Sequence, residues 1–329
     1  GEKLAETTSH TTIGYIEIPL LAAPPTEKTR GSDPLECIYT PGDCSIGDVD
    51  GDGEYEIFLM WEPSVTGGHW RYTGDTFYEC YSVDGKALWK GRIHFGPNIH
   101  SSKNCQMFAV GDFDNDGKAE MVLKTADGSV DAEGNIIGED GKDWCNDRGQ
   151  VLDGPEYLTI FEGATGKALC TVDYLPGRGP ENTWKALWGD TFGNRSERYQ
   201  LSGAYLDGTN LSIVACRGIY KRTGITAWDW DGKNLKVRWI FDTTNTVDKA
   251  NNPVDLTAFM GQGYHSMSIG DVDMDGRDEI LYGSMSVDDN GDGLYSTGMG
   301  HGDSERIIQA DPRKKGLQMF VCLESNPYG

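Results

Sequence analysis

Apolar positions in this chain come in short runs rather than at helical spacing. Ile57-Phe58-Leu59-Met60-Trp61, Met121-Val122-Leu123 and Ile280-Leu281-Tyr282 each follow a loop of acidic residues, and an apolar or alternating segment leads into each loop. Runs of this length bounded by Asp and Gly predict strands, so the loop joins two strands and not two helices. A second pattern is a plain hairpin: Tyr78 to Trp89 around Asp84-Gly85, Leu158 to Leu169 around Thr165-Gly166, and Thr226 to Leu235 around Asp231-Gly232. An Asp-Gly or similar turn between apolar strands is a strong local hairpin signal. The two patterns alternate along the chain. Two further copies of the first, Gly203 to Ala215 and Ala310 to Phe320, keep the strands and lose most of the acidic residues.

Units of about four short strands that repeat their own loop predict the blades of a β-propeller rather than a sandwich. The sequence contains four such units and the start of a fifth, read as one propeller domain over residues 1–329. Gly-rich stretches from about Asp127 to Asp153, Leu175 to Glu197 and Asp242 to Gly261 interrupt the pattern; long loops gathered on one face are where a propeller builds a site.

Composition agrees with an all-β fold. The 44 glycines, 15 tyrosines and 9 tryptophans of the 329 residues favour turns and pleated surfaces over long helices. A net charge of -23 repels nucleic acid and anionic lipid and is relieved by bound cations. No apolar run is long enough to span a membrane. The eight cysteines show no zinc-like spacing. Cys37 and Cys44 are near enough to cross-link a loop, but no pairing follows from sequence.

The acidic loops specify the cation. Asp48, Asp50 and Asp52 place carboxylates at positions 1, 3 and 5, Gly53 permits the sharp turn, Glu54 offers a backbone carbonyl, and Glu56 closes the set. The same register recurs in Asp112, Asp114, Asp116, Lys118 and Glu120, and in Asp271, Asp273, Asp275, Arg277 and Glu279, where Lys118 and Arg277 contribute through their carbonyls. Hard oxygen donors in this number suit several Ca²⁺ ions rather than the tight Mg²⁺ octahedron, and closure at position 9 separates the loop from an EF-hand. A fourth run, Asp288 to Gly293, repeats the spacing through Asp288 and Asn290 but has Ser296 where the closing Glu belongs, which makes it a partial site. His265 and His301, the latter in Gly300-His301-Gly302-Asp303, also lie near acidic loops; chemistry alone favours hydrogen-bonded structural histidines there.

Taken together, Gly47 to Trp61, Lys124 to Gly128, Gly154 to Leu158, Gly261 to Ile280 and Tyr295 to Asp303 resemble the rhamnogalacturonan lyases of polysaccharide lyase family 11. The resemblance runs in order over nearly the whole chain. It implies an eight-bladed, calcium-rich β-propeller, of which this chain is a partial ring truncated at both ends, with Tyr15 to Leu20 as its first strand. It implies a secreted, periplasmic or cell-surface monomer acting on the rhamnogalacturonan I of pectin. The implied reaction is β-elimination at galacturonate, with Lys124, Arg217 and Tyr220 as catalytic candidates and Asn194 and Arg195 as sugar contacts. In the resemblance His265, His301 and Asp303 become ligands of a calcium near the cleft. The Asp loops alone would equally support a non-catalytic calcium propeller for adhesion or carbohydrate binding.

Overall fold

A computed structural model of the chain describes residues 17–29, 34–63, 74–100 and 107–324. They are all-β, with one short helix at Trp184–Leu187 and two 3-10 turns, Glu181–Thr183 and Thr257–Phe259. None of the described helices is long and apolar enough to cross a membrane.

Strands pair antiparallel in chain order. Tyr39–Gly47, Glu56–Pro63, Phe77–Tyr81 and Ile93–His94 form the first sheet, which Ser129–Val130 and Ile136–Ile137 extend. The second is Phe108–Gly111, Glu120–Thr125, Tyr157–Glu162 and Ala168–Asp173. The third is Tyr199–Ala204, Ser212–Arg217, Gly224–Trp230 and Leu235–Asp242. Ser268–Gly270, Glu279–Leu281, Met285–Val287 and Gly293–Ser296 make the fourth, and Gly302–Ile308 pairs with Gln318–Leu323 beyond it. A separate pair, Glu27–Lys28 with Glu36–Cys37, precedes them.

Two expectations change. Of the proposed first strand, Tyr15 and Ile16 lie outside the described residues, and 17–20 form no strand. Pro19, which has no N–H to give a ladder, packs on Gly85, and Leu21 N–H donates to Tyr81 Oη at 3.1 Å. The Asp84-Gly85 hairpin closes on a single bridge, Tyr81 to Ala87, because the chain then turns away. Trp89 packs edge-on against Phe58 and donates its indole N–H to Gly163 O at 2.7 Å in the second sheet.

Period-two alternation sends each strand's side chains to two different cores. In Glu120–Thr125, Met121 and Leu123 face the core shared with Phe58, Met60 and Tyr78 of the first sheet. Val122 faces the core shared with Tyr199, Leu201 and Trp228 of the third. In Ser212–Arg217, Ile213 and Ala215 face the second sheet, whereas Val214 and Cys216 join Ile280, Tyr282 and Met285 of the fourth. The second and third sheets are therefore each buried against their predecessor on one face and their successor on the other. Cys37 is buried and Cys44 exposed; Cys105 lies outside the described residues.

The order of connections decides where chemistry sits. In an antiparallel meander the first and third connections leave one end of a sheet, and the second connection and the crossover to the next sheet leave the other. All three Asp loops are first connections and share one rim. The long insertions 126–156, 174–198 and 243–267 all belong to the opposite end.

Candidate active site and metal centres

The three Asp loops fold alike. Asp112 Oδ1 accepts from Asp116 N–H at 3.1 Å and Oδ2 from Gly117 N–H at 3.0 Å, while Asp116 Oδ1 accepts from Lys118 N–H at 2.8 Å. Asp271, Gly276 and Arg277 repeat these bonds. The closing glutamates each take a backbone N–H just inside the loop: Glu56 from Val49, Glu120 from Phe113 and Glu279 from Val272. Carboxylate oxygens of Asp48, Asp50 and Glu56 lie within 4.8 Å of one another, as do those of Asp112, Asp114 and Glu120 and of Asp271, Asp273 and Glu279. Asp52, Asp116 and Asp275 stand outside these groups. The sixth position is glycine at φ 90°, 89° and 93°. The fourth is also left-handed, at Gly51, Asn115 and Met274, which the motif did not anticipate.

Electrostatics favour a cation. Desolvation, with Asp114, Asp116 and Asp112 adding to it, pushes Glu120 up to about 8. Desolvation with Asp273 and Asp275 pushes Glu279 up to about 7. Hard oxygens gathered around a buried carboxylate fit Ca²⁺. The degenerate copy at Asp207 draws compensation from neighbouring side chains and backbone. Against the upward push of burial, hydrogen bonds from Asn210 and Thr209 and the charge of Arg238 hold Asp207 down to about 2.

The run from Asp288 is not a fourth loop. It is the hairpin turn between Met285–Val287 and Gly293–Ser296, closed by Asp288 N–H to Asp292 O at 2.8 Å. Asn290 folds back to donate its amide N–H to Asp288, and its Oδ1 accepts from Asp292 N–H at 2.8 Å. Asp288 instead groups with Asp289 and Glu279.

At the opposite end, three crossovers and the second connection of the third sheet bring together residues far apart in sequence. The Tyr220 and His301 rings lie 4.3 Å apart, His265 and His301 lie 5.0 Å apart, and Tyr220 Oη is 3.5 Å from His265 Nε2. The guanidinium of Arg195 stands over the Tyr220 ring at 4.9 Å and that of Arg198 at 5.9 Å. Arg198 is held by Asn194, through its carbonyl at 3.1 Å and its amide oxygen at 2.8 Å. His301 Nδ1 is 2.6 Å from Gly263 O, which can only accept, so Nδ1 carries a proton, while the buried Nε2 has no hydrogen-bond partner and lies 3.7 Å from Glu324 Oε2. Gly302 permits the approach, since a Cβ there would stand 2.3 Å from Cys322 O. Asp303 is exposed, and among the described residues it forms no three-ligand group with the two histidines.

Lys124 and Arg217 are not part of this open face. Lys124 is 3% and Arg217 0% exposed, inside an ion network beneath it. Arg217 Nη1 and Nη2 bond Glu156 at 2.7 and 2.9 Å and Nη2 bonds Glu197 at 3.2 Å. Lys124 Nζ lies 3.2 Å from Glu156 and 3.4 Å from Glu197, and Arg178 Nε 3.2 Å from Glu156. Despite desolvation, Arg178, Arg217 and Lys124 hold Glu156 well below the usual carboxylate range. Arg217 Nε also donates to Ser196 O at 2.8 Å, and Gly218 N–H to Arg198 O at 2.9 Å, which ties the network to the segment bearing Asn194, Arg195 and Arg198.

Comparison with known proteins gives the family. Residues 15–328 match the family described as rhamnogalacturonan lyase family 11, C-terminal domain. The chain belongs to rhamnogalacturonan lyase family 11. It is 45% identical over its whole length to the rhamnogalacturonan exolyase YesX of Bacillus subtilis (strain 168), covering 52% of that protein. It is 44% identical over 87% of its length to the rhamnogalacturonan endolyase YesW of the same organism, covering 44% of it. The crystal structure of YesX superposes with a TM-score of 0.86 over 95% of this chain and 50% of that one. Bacillus licheniformis rhamnogalacturonan lyase PL11 does so with 0.83 at 44% identity, over 92% of this chain and 50% of that one. The chain thus spans about half the length of the relatives it matches.

Within this family 11 chain, sequence reasoning missed Glu156, Arg178 and Glu197, whose partners are far away along the chain, and Arg198, a neighbour of Asn194 and Arg195. The signal that existed was two charged residues at the ends of apolar runs, Lys124 and Arg217, whose burial requires counter-ions.

Proposed function

We propose that this chain carries the catalytic face of a secreted, calcium-dependent lyase that cleaves the rhamnogalacturonan I backbone by β-elimination at galacturonate. Its successive sheets are read as blades of a partial propeller ring, with Ca²⁺ at the three Asp loops. The observation that carries the proposal is the meeting of Tyr220, His265, His301 and Arg195 at the end opposite those loops. Calcium on the Asp-loop rim would lie at the end of the sheets opposite that face, so it is assigned to stability.

In the elimination a base removes H5, a double bond forms between C4 and C5, the C4–O4 bond breaks and the departing O4 takes a proton. Tyr220 is assigned as the donor of that proton. Desolvation, opposed by Arg198 and Arg195, leaves its hydroxyl above the ordinary value of 10.0, so it is protonated near neutrality. Arg195, which makes no ion pair among the described residues, is assigned to the sugar carboxylate, with Asn194 and Arg198 beside it. A calcium ion held by His265 and His301 Nε2 would supply the charge that neutralises the C6 carboxylate and makes H5 acidic. Lys124 and Arg217 are reassigned from contact with substrate to holding the segment beneath it.

Incubation with rhamnogalacturonan I tests this through the ultraviolet absorbance of the unsaturated uronide. Growth of that absorbance, slowed in Tyr220→Phe, supports the lyase; saturable binding with no absorbance supports the non-catalytic alternative.

A further inference from the structure

The third Asp loop differs from the other two in what faces it. Its closing residue, Glu279, groups with Asp271 and Asp273, and also with Asp288 and Asp289, the ligand atoms of each group lying within 4.8 Å of one another. Glu56 and Glu120 belong to one group each. The topology explains the second group. Loop and hairpin turn are the first and third connections of one sheet, so both lie on the same rim. The corresponding turns of the first and second sheets bring no carboxylate pair: Asp84 accepts from Ser82, and Thr165 donates to Glu162.

Glu279 is fully buried. Its Oε2 accepts from Val272 N–H at 2.7 Å, but its Oε1 is buried without a hydrogen-bond partner. A buried carboxylate oxygen with no donor costs stability, and the Glu279 carboxylate here groups with four others. Arg277 Nη1 donates to Asp289 Oδ2 at 2.9 Å and Trp239 Nε1 to Asp289 O at 2.7 Å, which fixes the turn against the loop.

We propose that Glu279 bridges a two-metal centre, with one Ca²⁺ held by the Asp271–Asp273 loop and a second held by Asp288 and Asp289 across Oε1. The second ion is not encoded in the loop motif. It joins the first and third connections of the fourth sheet at the rim remote from the substrate face. This rests on reading the Asp loops as calcium sites and adds an ion that reading does not contain.

The test is bound calcium per chain in the full-length, calcium-loaded protein, measured for wild type, Glu56→Gln, Glu279→Gln and the double variant Asp288→Asn with Asp289→Asn. Glu56→Gln is expected to lose one ion, Glu279→Gln two, and the double variant one. The double variant alters a surface turn and leaves the buried Glu279 in place, so it reports even if Glu279→Gln does not fold. Europium-to-neodymium energy transfer in the lanthanide-substituted protein should be reduced in the double variant, which removes the shortest ion–ion spacing. A double variant with wild-type calcium content and unchanged energy transfer overturns the proposal. Wild-type calcium in Glu56→Gln overturns the reading of the Asp loops themselves, and the bridge with it.

Discussion

The ring of Tyr220 packs on that of His301 with centroids 4.3 Å apart and planes at 51°, although the two residues leave different sheets. The contact exists because second connections and crossovers share one end of consecutive antiparallel sheets, while the Asp loops occupy the other. The fold thereby separates the rim of acidic loops from the face that carries Tyr220, His265 and His301.

If the rim is a calcium staple, chelation should lower the melting temperature, since ions that bind only the folded state stabilise it by mass action, about 2.7 kcal/mol per site at a hundredfold excess over Kd. Asp114→Asn should lower calcium content by one ion and leave elimination intact apart from stability. Superimposable melting curves in chelator and in calcium would contradict this.

The two histidines are expected to behave as one site. His265→Ala and His301→Ala should each lose the same single ion and most of the elimination rate, with the circular dichroism of the fold retained. Wild-type ion content and rate in both variants would return them to a structural role.

The ion network beneath the face should be unforgiving of single changes. Arg217→Met leaves Glu156 and Glu197 short of a buried partner, which costs about 3–5 kcal/mol. Urea denaturation measures it. Arg217→Lys should recover little, because one ammonium cannot make the paired bonds to Glu156 and the bond to Ser196 O. A loss below about 1 kcal/mol would show the network to be solvated.

His100 supplies a pH signature. It is fully buried, its Nε2 accepts from Val151 N–H at 2.8 Å, and desolvation, aided by Lys124 and Arg178 and opposed by Glu197 and Glu156, depresses it from 6.5 to about 4. Between those values the unfolded chain binds the proton and the folded chain does not, so stability falls as pH falls from 6.5 towards 4. The full loss is on the order of 3 kcal/mol. His100→Gln keeps an acceptor for Val151 and should flatten that part of the stability profile; an unchanged profile would assign the acid sensitivity elsewhere.

Much of this was legible because its chemistry is local. Positions 1, 3, 5, 6 and 9 of the Asp loops declare themselves within nine residues, and the four sheets with the start of a fifth follow from the alternation of loop and hairpin. What was not legible depends on distance. Glu156 and Glu197 acquire meaning only when Lys124, Arg178 and Arg217 arrive from other strands, and the same encounter takes Lys124 and Arg217 away from the open face. The turn at Asp288 read as a weak loop because Glu279, the carboxylate it groups with, lies on a neighbouring strand.

The most direct test is the rate at which rhamnogalacturonan I gains unsaturated uronide absorbance with full-length wild type and with Tyr220→Phe, in calcium and at matched stability. The account predicts product from wild type and a fall of about 10²–10⁴-fold in the variant, with substrate binding retained. A variant that turns over at the wild-type rate would contradict the assignment of this face as the site of elimination.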